Sequence, residues 1–417
     1  MQTPLLNHPT VLSNEEVLSS EQEQLLATRN NNRYENPRSS INLPFDEELH
    51  ATSKQLTQTY TDPQAVVIIG IGGSNLGTKA VHQAIKGTYQ ANHTPKAYFA
   101  DTIDSQDLQQ LQEQLDTHYQ QNEQVLLVAI SKSGSTTETI ANLQLLLKQK
   151  QQHTKNWQEE VIIITGKNSK LDLYAQKHAL PTTHIPEAVG GRFSVLSPVG
   201  LVPLQLLGID TEQLLTGARK AVNDSTKPLK QNPAAQRASN RYQQLQANKN
   251  VHELFVFSKQ LAQIGAWTRQ LFAESLGKNG KGFTPTTAIG STDLHSVAQL
   301  RLAGNDHTHT TFLTLNKQPT LTLARDEEFA TLVEDLQEKP LSEVLHAIAQ
   351  ATKHAYKQAN RSFDEILLEQ PNEQQIGYLL QLLMLETMYL AALLDIDAFN
   401  QPAVELYKTK TRELLQK

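Results

Sequence analysis

Val125-Leu-Leu-Val-Ala-Ile-Ser-Lys-Ser-Gly-Ser-Thr-Thr-Glu-Thr139 is an unbroken apolar run that gives way to a loop of hydroxyl residues. A run of this length without a polar side chain is the pattern of a strand buried on both faces of a sheet. Five hydroxyls then fall within the seven residues 131–137, more than a helix cap requires. Ser135 or Thr136 is expected to cap the helix that follows, ahead of Glu138. In an open parallel sheet, ligands sit beyond the carboxyl ends of the strands. A helix N-terminus there offers N–H groups and partial positive charge, so the segment is expected to hold a phosphate.

Val66-Val-Ile-Ile-Gly-Ile-Gly-Gly-Ser-Asn-Leu-Gly77 repeats the plan: strand, loop of small residues, helix start. Taken alone, its glycines are equally what a tight turn needs. The glycine spacing misses the dinucleotide fingerprint, and there is no Gly-Lys-Ser/Thr of a nucleotide P-loop. A sugar phosphate therefore fits better than a nucleotide.

Working outward, apolar runs at residues 65–69, 97–100, 125–130 and 161–165 alternate with helical spacing at 108–115 and 140–147. That rhythm predicts an α/β fold with a mainly parallel sheet covered by helices on both faces, over residues 61–200. A second α/β unit is expected over 201–395, with strands near 254–257, 287–290 and 311–315 and helices near 261–276 and 294–302. The Gly- and Pro-rich span 190–209 reads as the crossing between the units. Residues 1–60 read as a polar extension of exposed helices with a loop near Asn30-Asn-Asn-Arg33, and 396–417 as a C-terminal loop and helix. A chain of 417 residues is too long for one ordinary core, which agrees with two units.

A net charge of −6 and 19% charged residues describe an ordinary soluble surface and argue against a nucleic-acid protein. The absence of cysteine excludes disulfides, thiolate nucleophiles and Cys-ligated zinc. Residues 1–7 show no signal-peptide pattern. The apolar stretch 378–394 is interrupted by Gln381 and Glu386 and reads as a buried helix, so no membrane association is expected. The chain is expected to be cytoplasmic.

Three clusters supply candidate acid–base chemistry. Gln270-Leu-Phe-Ala-Glu-Ser-Leu-Gly-Lys278 sets Glu274 late in an apolar helix, as a base or as an ordinary ion-pair partner of Lys278. Asp293-Leu-His-Ser296 puts His295 at a helix start, as a proton carrier or a structural histidine. Gly190-Gly-Arg-Phe-Ser194 sets Arg192 in flexible backbone, to stabilise an anion or to form a surface pair. In Asp306-His-Thr-His309, His307 and His309 alternate as metal ligands would, but no third ligand is evident and a solvated strand end is the better reading; no metal is expected.

Together these motifs resemble the glucose-6-phosphate isomerase family. Gly72-Gly-Ser-Asn-Leu-Gly77 and residues 131–139 are similar to its two sugar-phosphate loops, and Gly190-Gly-Arg-Phe-Ser-Val-Leu-Ser197 is close to a family signature. Glu274-Ser-Leu-Gly-Lys278, Asp293-Leu-His-Ser296 and Phe399-Asn-Gln-Pro-Ala-Val-Glu-Leu-Tyr-Lys408 match three more, all in family order. The resemblance implies two sugar-isomerase (SIS) subdomains, a homodimer with shared active sites, and interconversion of glucose 6-phosphate and fructose 6-phosphate without a cofactor. It implies Glu274 as the base, Arg192 as stabiliser of the enediolate, and His295 and Lys408 as ring-opening residues, with His295 supplied by the neighbouring subunit. Ser74, Ser131, Lys132, Ser133 and Thr136 would bind phosphate; Gly73, Gly191, Gln270 and Gln401 would line the sugar site. The chain departs from the family at Asn400, usually Asp, at Ala403, commonly Gly, and at Ser133, frequently Thr; the first two put the placement of Lys408 in question. A related isomerase of another sugar phosphate and a silent sugar-phosphate sensor are the alternatives. The joint presence of Glu274, His295, Arg192 and Lys408 argues against the sensor.

Overall fold

The computed structural model describes residues 11–31, 33–89 and 94–416. Residues 1–7, where no signal pattern is expected, lie outside them, as do Asn32 of the expected loop and the last residue of the C-terminal segment. Among the described residues nine strands follow in chain order: β1 Ala65–Ile69, β2 Lys96–Ala100, β3 Val125–Ser131, β4 Val161–Thr165, β5 Thr182–His184, β6 Val251–Val256, β7 Thr284–Ile289, β8 Thr308–Leu315 and β9 Phe363–Leu368. They form two sheets, ordered β2-β1-β3-β4-β5 and β7-β6-β8-β9, and every pairing between these strands is parallel.

Strand alternation explains the layering. Val67, Leu127 and Ile163 on one face of the first sheet meet Leu111, Leu146 and Leu171 on helices Ser105–Gln120, Thr137–His153 and Lys170–Lys177. Their neighbours Val66, Val128 and Ile162 point the other way, onto Val199, Val202 and Leu206 of helix Pro198–Leu206. The span 190–209 is thus not a mere crossing: it contains a buried helix that closes one face of the sheet. Its N-cap is Ser197, whose side chain accepts from Val199, and Pro198 occupies the first turn, where a missing N–H costs nothing.

Residues 11–60 are also less exposed than their polar composition suggests. Helix Glu15–Asn31 and the 3-10 segment Pro37–Phe45 bury Leu18, Leu25, Ile41 and Leu43 completely. These join the largest core, which runs beneath the second sheet and centres on helix Glu373–Leu393. Among the described residues that helix is long and apolar enough to cross a membrane, yet 94% of its apolar window is buried in the protein. It crosses helix Thr211–Ser225 so closely that a Cβ on Gly217 would stand 1.9 Å from the Gln374 carbonyl oxygen.

The predicted helix 294–302 is instead a 3-10 turn, Thr292–His295, and a short helix, Ala298–Ala303. Neither contains a fully buried residue; Leu294, Val297 and Leu302 pack only partly buried against the second sheet's core. His309 is no solvated strand end. It is buried, its Nδ1 2.7 Å from Ser362 Oγ and its Nε2 3.4 Å from Asp364 Oδ2, while His307 is exposed.

Beneath the second sheet lies a buried ionic cluster. Glu386 accepts from Arg237 Nε at 2.6 Å and from Arg241 Nε, and Arg241 Nη2 donates to Thr311 Oγ1 at 3.2 Å. One carboxylate thereby ties the core helix to helix Pro233–Gln246 and β8. Glu386→Gln leaves two buried guanidinium groups short of their counter-charge, and a loss of about 3–5 kcal/mol is expected in urea unfolding. A loss below about 1 kcal/mol, the range of an exposed pair, contradicts this reading.

His252 sits against the same cluster. Burial, reinforced by Arg241 and His309, holds its imidazole well below the ordinary value against the opposing pull of Asp364 and the Lys249 carbonyl. Below about pH 6.5 the unfolded chain therefore binds a proton that the folded chain refuses. The stability this neutral ring contributes is complete above that pH and is lost as pH falls, by up to about 1.4 kcal/mol per unit. Urea titrations between about pH 6.5 and 4.5 are expected to show this slope reduced in His252→Gln; equal slopes in both proteins would refute it.

Candidate active site

β1 and β3 are adjacent, but the chain leaves β1 for β2 on one side and reaches β3 on the other. Loops at such a switch point diverge and open a crevice at the strand ends. The loop after β1 contains a 3-10 turn, Gly72–Ser74, before helix Leu76–Lys86; the loop after β3 runs from Ser131 into helix Thr137–His153. Both hydroxyl-bearing segments thus face the same crevice.

In the second loop, Ser131 Oγ lies 2.9 Å from Thr136 Oγ1, and Ser133 Oγ 3.4 Å from that same oxygen. Ser135 N donates to Ser133 Oγ at 3.3 Å. Thr136 is the N-cap residue, but its side chain does not cap the helix as expected; it joins the hydroxyl cluster instead. The dipole end of the helix and three hydroxyls therefore meet at one point, with Ser131 buried and Ser133 exposed. Lys132 points elsewhere. Its ammonium donates to the Glu187 and Val189 carbonyls at 2.5 and 2.9 Å, and burial lowers its pKa against the opposing pull of Glu187. It ties this loop to the segment that leads into Gly190.

That segment packs on the first loop without side chains between them. A Cβ on Gly73 would stand 2.3 Å from the Gly191 carbonyl carbon and 2.4 Å from its oxygen. The contact delivers Arg192, on the 3-10 turn Gly191–Phe193, into the interior. Arg192 is 3% exposed. Its Nε donates to Ser275 Oγ at 2.6 Å, and its Nη1 to Gln401 Oε1 at 2.9 Å and Glu274 Oε2 at 3.5 Å. Its Nη2 donates to the carbonyls of Ala398 and, at 3.2 Å, Asn400. Burial pulls its pKa down while Glu274 and Asp397 pull it up. A guanidinium so placed remains a fixed cation.

Glu274 lies on helix Ala262–Leu276, one turn past Gln270, whose Nε2 donates to Glu274 Oε1 at 3.1 Å. Each carboxylate oxygen is thus held by a different donor, and the side chain stays 31% exposed toward the crevice. The ordinary Glu274–Lys278 pair does not form. Lys278 donates instead to the Asp397 carbonyl, and burial followed by repulsion from Arg192 pushes its pKa down to about 8, against Asp397 and Glu274.

Arg192, Glu274, Gln270, Gln401, Gly73 and Gly191 are therefore brought together, with the hydroxyl cluster at the neighbouring strand ends. His295 and Lys408 are not. His295 is exposed, and its side chain makes no hydrogen bond or ion pair among the described residues. Lys408 pairs with Glu405 at 2.8 Å on helix Glu405–Leu415, which buries none of its residues. Ser275 was not anticipated as a site residue; its signal was adjacency to Glu274 in the same motif.

Fold and site define an α/β protein that sets a carboxylate and a buried guanidinium beside a hydroxyl cluster at a helix N-terminus. Residues 44–417 match the family described as phosphoglucose isomerase, and the chain belongs to it. It is 33% identical over 392 residues to a glucose-6-phosphate isomerase of Thermus thermophilus, covering 90% of this chain and 89% of that protein. A probable glucose-6-phosphate isomerase of Haloarcula marismortui is 32% identical over 358 residues, covering 85% of this chain and 79% of the relative. The crystal structure of a hypothetical protein from Thermus thermophilus superposes with TM-score 0.88 at 31% identity, over 97% of this chain and 95% of that one. A glucose-6-phosphate isomerase from Chlamydia trachomatis shares the fold, with TM-score 0.78 at 22% identity over 91% of this chain and 75% of that one.

The backbone contact at Gly73 is directly testable. Gly73→Ala forces main chain against main chain and is expected to cost about 1–3 kcal/mol. Gly190→Ala, whose Cβ would meet nothing nearer than Phe193 Cδ2 at 3.7 Å, is expected to be near neutral. Equal melting temperatures for the two variants would contradict the contact.

Proposed function

We propose that the chain interconverts glucose 6-phosphate and fructose 6-phosphate by moving one proton between C1 and C2. The observation that carries this is the Glu274 carboxylate, open to the crevice and held between Gln270 Nε2 and the buried Arg192. In the open-chain aldose, Glu274 removes the C2 proton, and the electron pair forms the C1–C2 double bond as charge moves to the C1 oxygen. Arg192 offsets that charge. A proton passes from the C2 oxygen to the C1 oxygen, the C2 carbonyl forms, and Glu274 returns its proton to C1. This sequence requires no redox or metal chemistry.

Ser131, Ser133 and Thr136, with Ser74 across the strand ends, hold the phosphate. Lys132 steadies that loop and adds positive charge near it. Gly73, Gly191, Gln270 and Gln401 line the sugar, and remote phosphate binding fixes its orientation. His295 and Lys408 open the ring. The solvent access of both, and the four large apolar residues Leu406, Tyr407, Leu414 and Leu415 exposed on the terminal helix, support a homodimer in which the second copy completes the site. The two α/β units divide near residue 200, and the enzyme works in the cytoplasm, in glycolysis and gluconeogenesis.

Fructose 6-phosphate, with glucose 6-phosphate detected through a coupled dehydrogenase, gives the test. Turnover is expected, and its absence would sink the proposal. Glu274→Gln is expected to retain sugar-phosphate binding while kcat falls roughly 10²–10⁴-fold; an active variant would show that another group is the base.

A further inference from the structure

Residues 394–401 run from the end of the core helix across the site to Gln401, and cations grip their backbone from end to end. Lys281 Nζ donates to the carbonyls of Leu394 at 2.8 Å and Asp395 at 3.3 Å. Lys278 Nζ donates to that of Asp397. Arg192 Nη2 takes those of Ala398 and Asn400, and its Nη1 takes the Gln401 side chain. Its apolar side chains are anchored too, with Leu394 and Ala398 buried in the largest core and Ile396 and Phe399 packed on it, the Phe399 ring 5.4 Å from that of Phe193 and 5.6 Å from the Arg38 guanidinium. The carbonyls of Asp397, Ala398 and Asn400, however, are met by the cations. Arg192 is thus both the cation proposed to stabilise the enediolate and a post for the strap, so its position depends on where the strap is held.

We propose that Lys278 is a positioning residue of this site: its ammonium pins the strap at Asp397, and through the strap it sets Gln401 and the Arg192 guanidinium over the sugar. Charge is essential to the pin, because a neutral amine is a weak donor to a carbonyl compared with an ammonium. The groups facing Lys278 are Glu274 from the helix that ends just before it, Arg192 from the turn Gly191–Phe193, and Asp397 from the strap, with Lys281 the next cation along. Its lowered pKa, about 8, places loss of the pin just above neutrality. Lys132, whose pKa burial also lowers, holds the phosphate loop and not the strap.

The inference rests on the isomerase reading, and two readouts separate their failures. The first is the pH profile of kcat/KM. Wild-type activity is expected to fall above about pH 8, tenfold per unit. Lys278→Arg, which stays charged, is expected to keep activity near pH 7 and to lose that limb. Lys278→Met is expected to lower kcat/KM at pH 7 roughly 10- to 100-fold, as displaced catalytic groups do, and to respond no further up to pH 9. An alkaline limb at the wild-type pH in Lys278→Arg would overturn the proposal, as would wild-type kcat/KM in Lys278→Met. The second readout needs no turnover. Hydrogen–deuterium exchange without substrate is expected to rise in residues 394–401 of Lys278→Met, and not in the loop at residues 131–136. Unchanged exchange in 394–401 would overturn the proposal even if the protein were inactive. Should Lys278→Met fail to fold, the Lys278→Arg profile and its exchange, expected to be wild-type, decide the matter.

Discussion

The buried guanidinium of Arg192 is the constraint on which the site depends. It is almost fully removed from water, and a desolvated cation is tolerable only when its donors are met. Five acceptors meet them: Ser275 Oγ, Glu274, the Gln401 amide oxygen and the carbonyls of Ala398 and Asn400. These come from one helix of the second unit and from the C-terminal strap, while Arg192 itself follows the first sheet. A single electrostatic requirement thereby fixes three segments that are 82 to 209 residues apart in sequence. Losing any partner leaves an unpaired buried donor, so the same network that orients the cation holds the segments together.

The sheets supply the other half of the geometry. Their parallel order sends loops after β1 and β3 apart at a switch point, and the backbone contact of Gly73 with Gly191 docks the Arg192 turn onto the first of them. On the proposed function, a phosphate held at the hydroxyl cluster would be anchored to rigid strand ends, while the reacting carbons would be met by a carboxylate on a buried helix. Binding energy gathered at one end of the substrate can be used at the other only if the two ends of the site do not move independently. Lys132, tied to the Val189 carbonyl, and Arg192, only three residues further along, make that mechanical link.

Much of this was legible in the sequence, for reasons that can be given residue by residue. β1, β3 and β4 are wholly buried and therefore almost wholly apolar, and they stood out. β5, with Thr182, Thr183 and His184, is a three-residue edge strand and carried no such signal. β9 was hidden because Asp364 and Glu365 sit inside it, buried beside Arg237 and Lys353 that a local pattern cannot pair with them. Glu274, Arg192 and the hydroxyl loop were found because their motifs are contiguous. The carbonyls that hold Arg192 and Lys278 were not, because a backbone acceptor leaves no mark in composition or spacing. The N-terminal helices misread as surface because four buried apolar side chains are diluted among polar neighbours.

The central claim is that the cradle and the Glu274–Arg192 pair act on one molecule. A crystal structure of the protein with fructose 6-phosphate bound tests it most directly. The account predicts the phosphate within hydrogen-bonding distance of the Ser131, Ser133 and Thr136 hydroxyls and C1 and C2 facing the Glu274 carboxylate. A phosphate bound away from those hydroxyls, or a sugar turned away from Glu274, would contradict it.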